Sequence, residues 1–179
     1  MEPSRPLSFS RLALYRLGMS SQTPAPTRRS APKNARFAIV AARFNEEIVE
    51  KLLAGCLSRL SALGVTGDRI ETDRVPGAFE LPLAAQSLAQ TQKFAAVICL
   101  GAVIRGDTPH FDFVASQAAS GIQQAALNTG VPIIFGVLTT DNLQQALDRS
   151  GGKHGHAGER AADAAVEMAA LLANIAATR

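Results

Sequence analysis

The sequence has no tryptophan, one tyrosine and only two cysteines, Cys56 and Cys99, among its 179 residues. Both cysteines sit in apolar periodic stretches and lack metal-ligand spacing. That excludes a disulfide scaffold and a zinc ribbon, and leaves two small buried hydrophobes in a reducing compartment. No run of eighteen apolar residues occurs, so no bilayer-spanning helix is encoded. Charge is sparse as well, at 18% Asp, Glu, Lys and Arg, against 47% hydrophobic residues. This is enough apolar side chain for one core of ordinary domain size, and it excludes wholesale disorder.

Acid is what the first 34 residues lack. Arg5, Arg11, Arg16, Arg28, Arg29 and Lys33 stand there against Glu2 alone, a net +5, while the rest of the chain holds 12 Lys and Arg against 14 Asp and Glu, a net −2. The overall +3 therefore belongs to this segment. The periodic part is mildly acidic, with no basic stripe to follow a phosphate backbone, which excludes nucleic acid as a partner. Residues 1–34 are rich in Ser, Pro and Arg and have no sustained period. They read as a disordered basic tail, as an organelle transit peptide, or as an extension ahead of a true start at Met19. A secretory signal is excluded because Arg16 breaks the short apolar stretch Leu12-Ala13-Leu14-Tyr15.

From residue 35 onward a regular pattern sets in. Phe37 to Ala42 is a continuous apolar run, expected of a strand covered on both faces. Asn45 is placed to cap the next helix, with Glu46 and Glu47 in its first turn, and Ile48, Leu52, Cys56, Leu60 and Leu63 recur at helical spacing up to Gly64. A strand from Arg69 to Val75, a helix from Leu81 to Gln90 and a strand from Ala95 to Leu100 follow. Next come a helix from Phe111 to Leu127, a strand from Val131 to Leu138, a helix capped by Asp141 and ending at Arg149, and a final helix to Ala176. Strands alternating with helices predict an α/β fold, a flavodoxin-like three-layer αβα sandwich with a mainly parallel four-stranded sheet. Ligands bind such sheets at the carboxyl ends of the strands. That rule selects Arg43-Phe44-Asn45, Val75 to Glu80, and Ala102 to His110.

The third of these loops carries the most chemistry. In Val103-Ile104-Arg105-Gly106-Asp107-Thr108-Pro109-His110, the amides of Asp107 and Thr108 lie near a helix N-terminus, where a phosphate is favoured. His110 at the same end is of a type that moves protons near neutral pH. Read by itself, the segment is either such a site or a helix-capping loop with a solvent-facing histidine. In Val75-Pro76-Gly77-Ala78-Phe79-Glu80, Glu80 can accept hydrogen bonds from hydroxyls, although Pro-Gly before an acid also simply starts helices. Phe44, if exposed, can stack on a flat heterocycle; otherwise it is core. Arg149 suits a phosphate or the end of its own helix. The Gly-rich stretch with His154 and His156 follows a helix, lacks a nucleotide-loop ending and offers no third metal ligand.

Five segments taken together, ARFN (42–45), VPGAFELP (75–82), LGAVIRGDTPHFDFV (100–114), GVPIIFGVLTT (130–140) and ALDRSGGKHG (146–155), resemble the lumazine synthase family over about residues 36 to 176. The resemblance implies a cofactor-free, metal-free enzyme of riboflavin synthesis. Its expected reaction joins 5-amino-6-(D-ribitylamino)uracil to 3,4-dihydroxy-2-butanone 4-phosphate, giving 6,7-dimethyl-8-ribityllumazine, phosphate and water. It implies that Phe44 stacks on the pyrimidine, that Ala78 and Glu80 hold the ribityl chain, and that Val103 and Ile104 present backbone groups to the pyrimidine. Asp107, Thr108 and Arg149 would take the phosphate and His110 would shuttle the proton. Asn45, Gly77, Phe79 and Arg105 complete the expected binding set in this chain.

The resemblance also implies a homo-oligomer, a pentamer or a 60-subunit icosahedral shell, in which Phe135 and Arg149 reach a site from the neighbouring chain. The uninterrupted segment from Arg149 to Gly158 is similar to that of shell-forming members. A cytoplasmic location is expected, or a plastid if residues 1–34 are a transit peptide. The sequence departs from the family at Pro109, where Thr is common, and at His156-Ala157, where many members carry Asn-Lys and the lysine contributes to the pyrimidine pocket. Lys153 and His156 are the candidate replacements. A non-catalytic flavin-binding module and a shell protein with decayed catalysis are the rival readings.

Overall fold

The computed structural model describes residues 30–178. The readings of the N-terminal segment as a tail, a transit peptide or a late start fall almost wholly outside those residues. The elements are β1 (Phe37–Ala42), α1 (Glu46–Ala62), β2 (Ile70–Val75), α2 (Leu81–Gln90), β3 (Ala96–Ile104), α3 (His110–Thr129), β4 (Ile133–Thr140), α4 (Leu143–Arg149), β5 (Ser150–Gly152), β6 (Gly155–His156) and α5 (Ala157–Ala177). Strands β1 to β4 form one sheet in the order β2-β1-β3-β4. Every pair in it is parallel, so the sheet expected to be mainly parallel is wholly so.

Covering on both faces explains the apolar runs. Along β1, Phe37, Ile39 and Ala41 join the core beneath α1 and α5, while Ala38, Val40 and Ala42 join the one beneath α2 and α3. In β3, Ala96, Ile98, Leu100 and Ala102 take the first side, and Val97, Cys99 and Val103 the second. A strand without a solvated face has no position for a polar residue. Cys56 and Cys99 are buried and unpaired, and burial pushes both thiols up to about 12, which keeps them protonated and inert. Ala31 and Ala35 pack against the α1–α5 side of the core.

Small residues let α5 lie close on α1. Ala161, Ala162, Ala165 and Ala169 are buried along its inner face. A Cβ at Gly158 would collide with the carbonyl oxygen of Leu52 in α1.

Three local expectations are corrected. Asn45 does not cap α1 with its side chain; it takes a left-handed backbone conformation (φ 57°), and its amide is used elsewhere. Helix α4 is capped by Asn142, whose side chain accepts from the Gln145 N–H, because Asp141 is drawn to Arg105. The Gly-rich stretch after α4 is a small antiparallel ribbon, β5 with β6, and α5 starts directly after it at Ala157.

Candidate functional site

At the carboxyl edge of the sheet the chain leaves β1 for α1 on one face and β3 for α3 on the other. This divergence opens a crevice between the two strands. The β1 loop is tied to the β2 loop by Arg43 N–H to the Val75 carbonyl at 2.8 Å and Phe44 N–H to the Pro76 carbonyl at 3.0 Å. It is tied to β3 by the Asn45 Nδ2, which donates to the Ala102 carbonyl at 2.8 Å. The Phe44 ring, held between these ties, is 70% exposed. A large apolar ring fixed at its base and bare at its face is a stacking platform.

Beside it, Ala78–Glu80 form a short 3-10 turn leading into α2. The Gly77 N–H donates to Glu80 Oε2 at 2.9 Å, which anchors one carboxylate oxygen and leaves the other facing solvent. Ala78 is buried, whereas Phe79 is exposed at the rim. An anchored carboxylate at the end of a crevice suits a polyhydroxylated chain, since each hydroxyl can donate to it.

Strand β3 runs to Ile104, four residues past its expected end. The Ala102 carbonyl points to the β1 side and the Arg105 N–H donates toward β4, to the Thr140 carbonyl at 2.8 Å. Alternation along the strand then turns the backbone groups of Ile104 toward the crevice and those of Val103 toward β4. Val103 contributes its side chain to the core instead.

His110 is the first residue of α3 and is exposed, as are Asp107 and Thr108 just before it. Among the described residues, the amides of Asp107 and Thr108 and the His110 imidazole have no hydrogen-bond partner. Arg105 is differently occupied. Its guanidinium pairs with both oxygens of Asp112, at 3.0 and 3.2 Å, and with Asp141 at 3.3 Å, and lies 4.1 Å from the centroid of the Phe111 ring. The guanidinium holds the Asp112 carboxyl below the usual carboxylate range. Arg105 thus clamps the start of α3, and with it His110, to the start of α4.

Phe135 and Arg149 stand apart from this group. Phe135 pairs with Cys99 and Thr140 pairs with Ile104 in the β3–β4 ladder. Phe135 is therefore five residues down the edge strand, or about 17 Å from the sheet edge that carries the His110 loop. It is 41% exposed. Arg149 ends α4, donates Nη1 to the Gln145 carbonyl at 3.0 Å, and has no carboxylate partner among the described residues. Phe44, Glu80, Ile104 and His110 are brought together by one chain; Phe135 is not.

The sequence model of 6,7-dimethyl-8-ribityllumazine synthase matches residues 34–173. A protein of Syntrophus aciditrophicus (strain SB) named 6,7-dimethyl-8-ribityllumazine synthase is 53% identical over 147 residues, covering 82% of this chain and 96% of that protein. The chain belongs to the lumazine synthase family. Membership makes it an enzyme of transferase type in riboflavin biosynthesis, acting on small molecules and assembling with copies of itself. Among the described residues, no helix is long and apolar enough to cross a membrane, and no three His, Cys, Asp or Glu side chains converge as metal ligands.

Against the family pattern, the two candidates for the missing pocket lysine are both engaged elsewhere. Lys153 Nζ lies 3.2 Å from Asp148, which also accepts from Gln144 at 3.0 Å. The His156 ring packs on Gly55 of α1, where a Cβ would overlap it, and its Nδ1 is buried without a partner. Sequence reasoning also missed the Asn45 bridge and the Asp112–Asp141 clamp. Each joins residues distant in sequence through side-chain hydrogen bonds, which leave no periodic signal.

Proposed function

We propose that the crevice condenses 5-amino-6-(D-ribitylamino)uracil with 3,4-dihydroxy-2-butanone 4-phosphate, releasing phosphate and water. The observation that carries this reading is the convergence of a bare aromatic ring, an anchored carboxylate, unpaired backbone amides and an imidazole at one sheet edge. Phe44 stacks on the pyrimidine, and the backbone of Ile104 meets its polar edge. Ala78 and Glu80 hold the ribityl chain. The Asp107 and Thr108 amides take the phosphate at the N-terminus of α3, where the helix dipole adds to the attraction.

The chemistry asks more of orientation than of strong catalysis. The pyrimidine amine attacks the ketone carbonyl and water leaves to form an imine. Loss of a proton from the adjoining carbon expels phosphate, the resulting enol becomes a second carbonyl, and the ribityl-bearing amine closes the ring on it with loss of a second water. His110 takes and returns the protons in these steps, and holding the amine against the ketone supplies much of the rate. No cofactor enters the reaction.

Phe135 and Arg149 join the crevice of the next copy, because the strand register keeps Phe135 out of its own. Copies then close as a ring in which each interface completes a site. The ring is a pentamer, and the tight β5–β6 ribbon, free of any insertion, favours the 60-subunit shell built from such rings. The protein works in the cytoplasm.

The test mixes both substrates with the protein and follows phosphate release alongside the absorbance of the lumazine. Both should rise together in equal amounts. Binding of the pyrimidine without product would make the protein a binding module, and a large particle inert to both substrates would make it a shell component.

A further inference from the structure

Along the outer edge of β4 runs a cavity of about 290 Å³, lined by Phe135 and its strand neighbours on one side and by Ala157, Arg160 and Ala161 of α5 on the other. This volume is at the small end of ligand pockets, room for one ring and not for two substrates. Because β4 is an edge strand, nothing in the sheet lies beyond it, and the cavity faces away from the chain's own crevice. It lies where the neighbour's site would be completed.

Ala157 and Arg160 are three residues apart on one helix and so share a face. Arg160 is half-buried, which keeps its stem against the cavity wall. Its one hydrogen bond is a long one, Nη1 to the His154 carbonyl at 3.4 Å, and it has no carboxylate partner among the described residues. Among the described residues its other guanidinium donors have no partner. Lys153 is paired with Asp148, and His156 is turned onto α1, so neither lines the cavity. Arg160 is the cation that does.

We propose that Arg160 is a substrate-binding residue for the pyrimidine half of the site, donating from its guanidinium to a ring carbonyl oxygen and supplying the charge that Ala157 cannot. The inference rests on the condensation reading above. A flat five-donor fork beside Phe135 suits a planar ring with carbonyl oxygens on its edge better than it suits a flexible sugar chain. The charge sits one helical turn further along α5 than a lysine at position 157 would, and the longer planar head of arginine spans the difference.

The experiment measures equilibrium binding of ribitylaminouracil alone to the assembled protein, together with steady-state kinetics on both substrates. Arg160→Ala should weaken pyrimidine binding about 10- to 100-fold, the usual loss of a hydrogen bond from a charged donor. The Michaelis constant for the phosphorylated ketone should stay within about twofold. Arg160→Lys should recover part of the binding, and Ala157→Lys added to Arg160→Ala should recover more. Pyrimidine binding unchanged in Arg160→Ala would overturn the assignment, as would a loss confined to the phosphorylated ketone. If the unaltered protein neither binds nor converts the pyrimidine, the condensation reading itself fails; if it does both and Arg160→Ala matches it, only the role of Arg160 is refuted.

Discussion

Replacing His110 with alanine is expected to lower the turnover number by roughly 10- to 1000-fold, at or below the usual contribution of a general acid–base group. The side chain is exposed at the first position of α3 and has no partner among the described residues, so its removal leaves no orphaned polar group and no cavity. Stability and assembly should therefore be unaltered, and the loss should fall on kcat rather than on either Michaelis constant. The loss is bounded because Phe44, Glu80 and the amides near Thr108 would still orient the substrates, and orientation alone is worth several powers of ten. Steady-state kinetics on purified, size-checked protein measures it. Undiminished turnover would remove His110 from the chemistry and leave it a capping residue.

The second large effect is on stability. Gly158→Ala should destabilise the protein by about 1–2 kcal/mol. An added methyl in a helix gains about 1 kcal/mol of propensity over glycine. Here it must also enter the space of the Leu52 carbonyl, in the backbone of α1, and overpacking of that kind costs about 1–3 kcal/mol and sometimes more. A carbonyl held in its own helix cannot swing aside as a flexible side chain can, so the steric cost wins. Gly67→Ala is the matched control, since nothing lies within 4 Å of a Cβ there. The denaturant midpoint of Gly158→Ala should fall well below that of the native protein, while Gly67→Ala changes little. Equal midpoints would mean that α1 and α5 can separate at no cost.

Much of the fold was legible because the sheet is covered on both faces. Phe37 to Ala42 and Ala96 to Leu100 cannot be anything but interior, and the helical spacing of Ile48, Leu52, Cys56 and Leu60 shows which side of α1 faces them. What escaped reading was decided by single polar side chains. Asn45 could cap α1 or reach the Ala102 carbonyl, and only the proximity of β3 to the β1 loop selects the second. Asp141 could cap α4, but Arg105 takes it, and Asn142 caps instead. Glycine-rich Ser150 to Gly155 has no side-chain period from which a ribbon could be inferred.

The site was legible in the same uneven way. Topology alone sends Phe44, Glu80 and His110 to one edge. The resemblance makes Arg105 a binding residue; the bonds it gives Asp112 and Asp141, which brace the helix carrying His110, leave no trace in the sequence. Arg160 drew no attention in the sequence, because a charged residue in the first turns of a helix is ordinary; only the cavity at the edge of β4 gives it a ligand to meet.

That two copies build each active crevice is tested most directly by mixing subunits. His110→Ala and Arg149→Ala chains are refolded together in equal amounts and assayed at a low concentration of the phosphorylated ketone, beside each variant assembled alone. Random placement around a ring leaves about a quarter of the interfaces with an intact His110 facing an intact Arg149. Activity should return to about that fraction of the unaltered enzyme, far above either parent. A mixture no more active than the average of its two parents would show that His110 and Arg149 act within one chain.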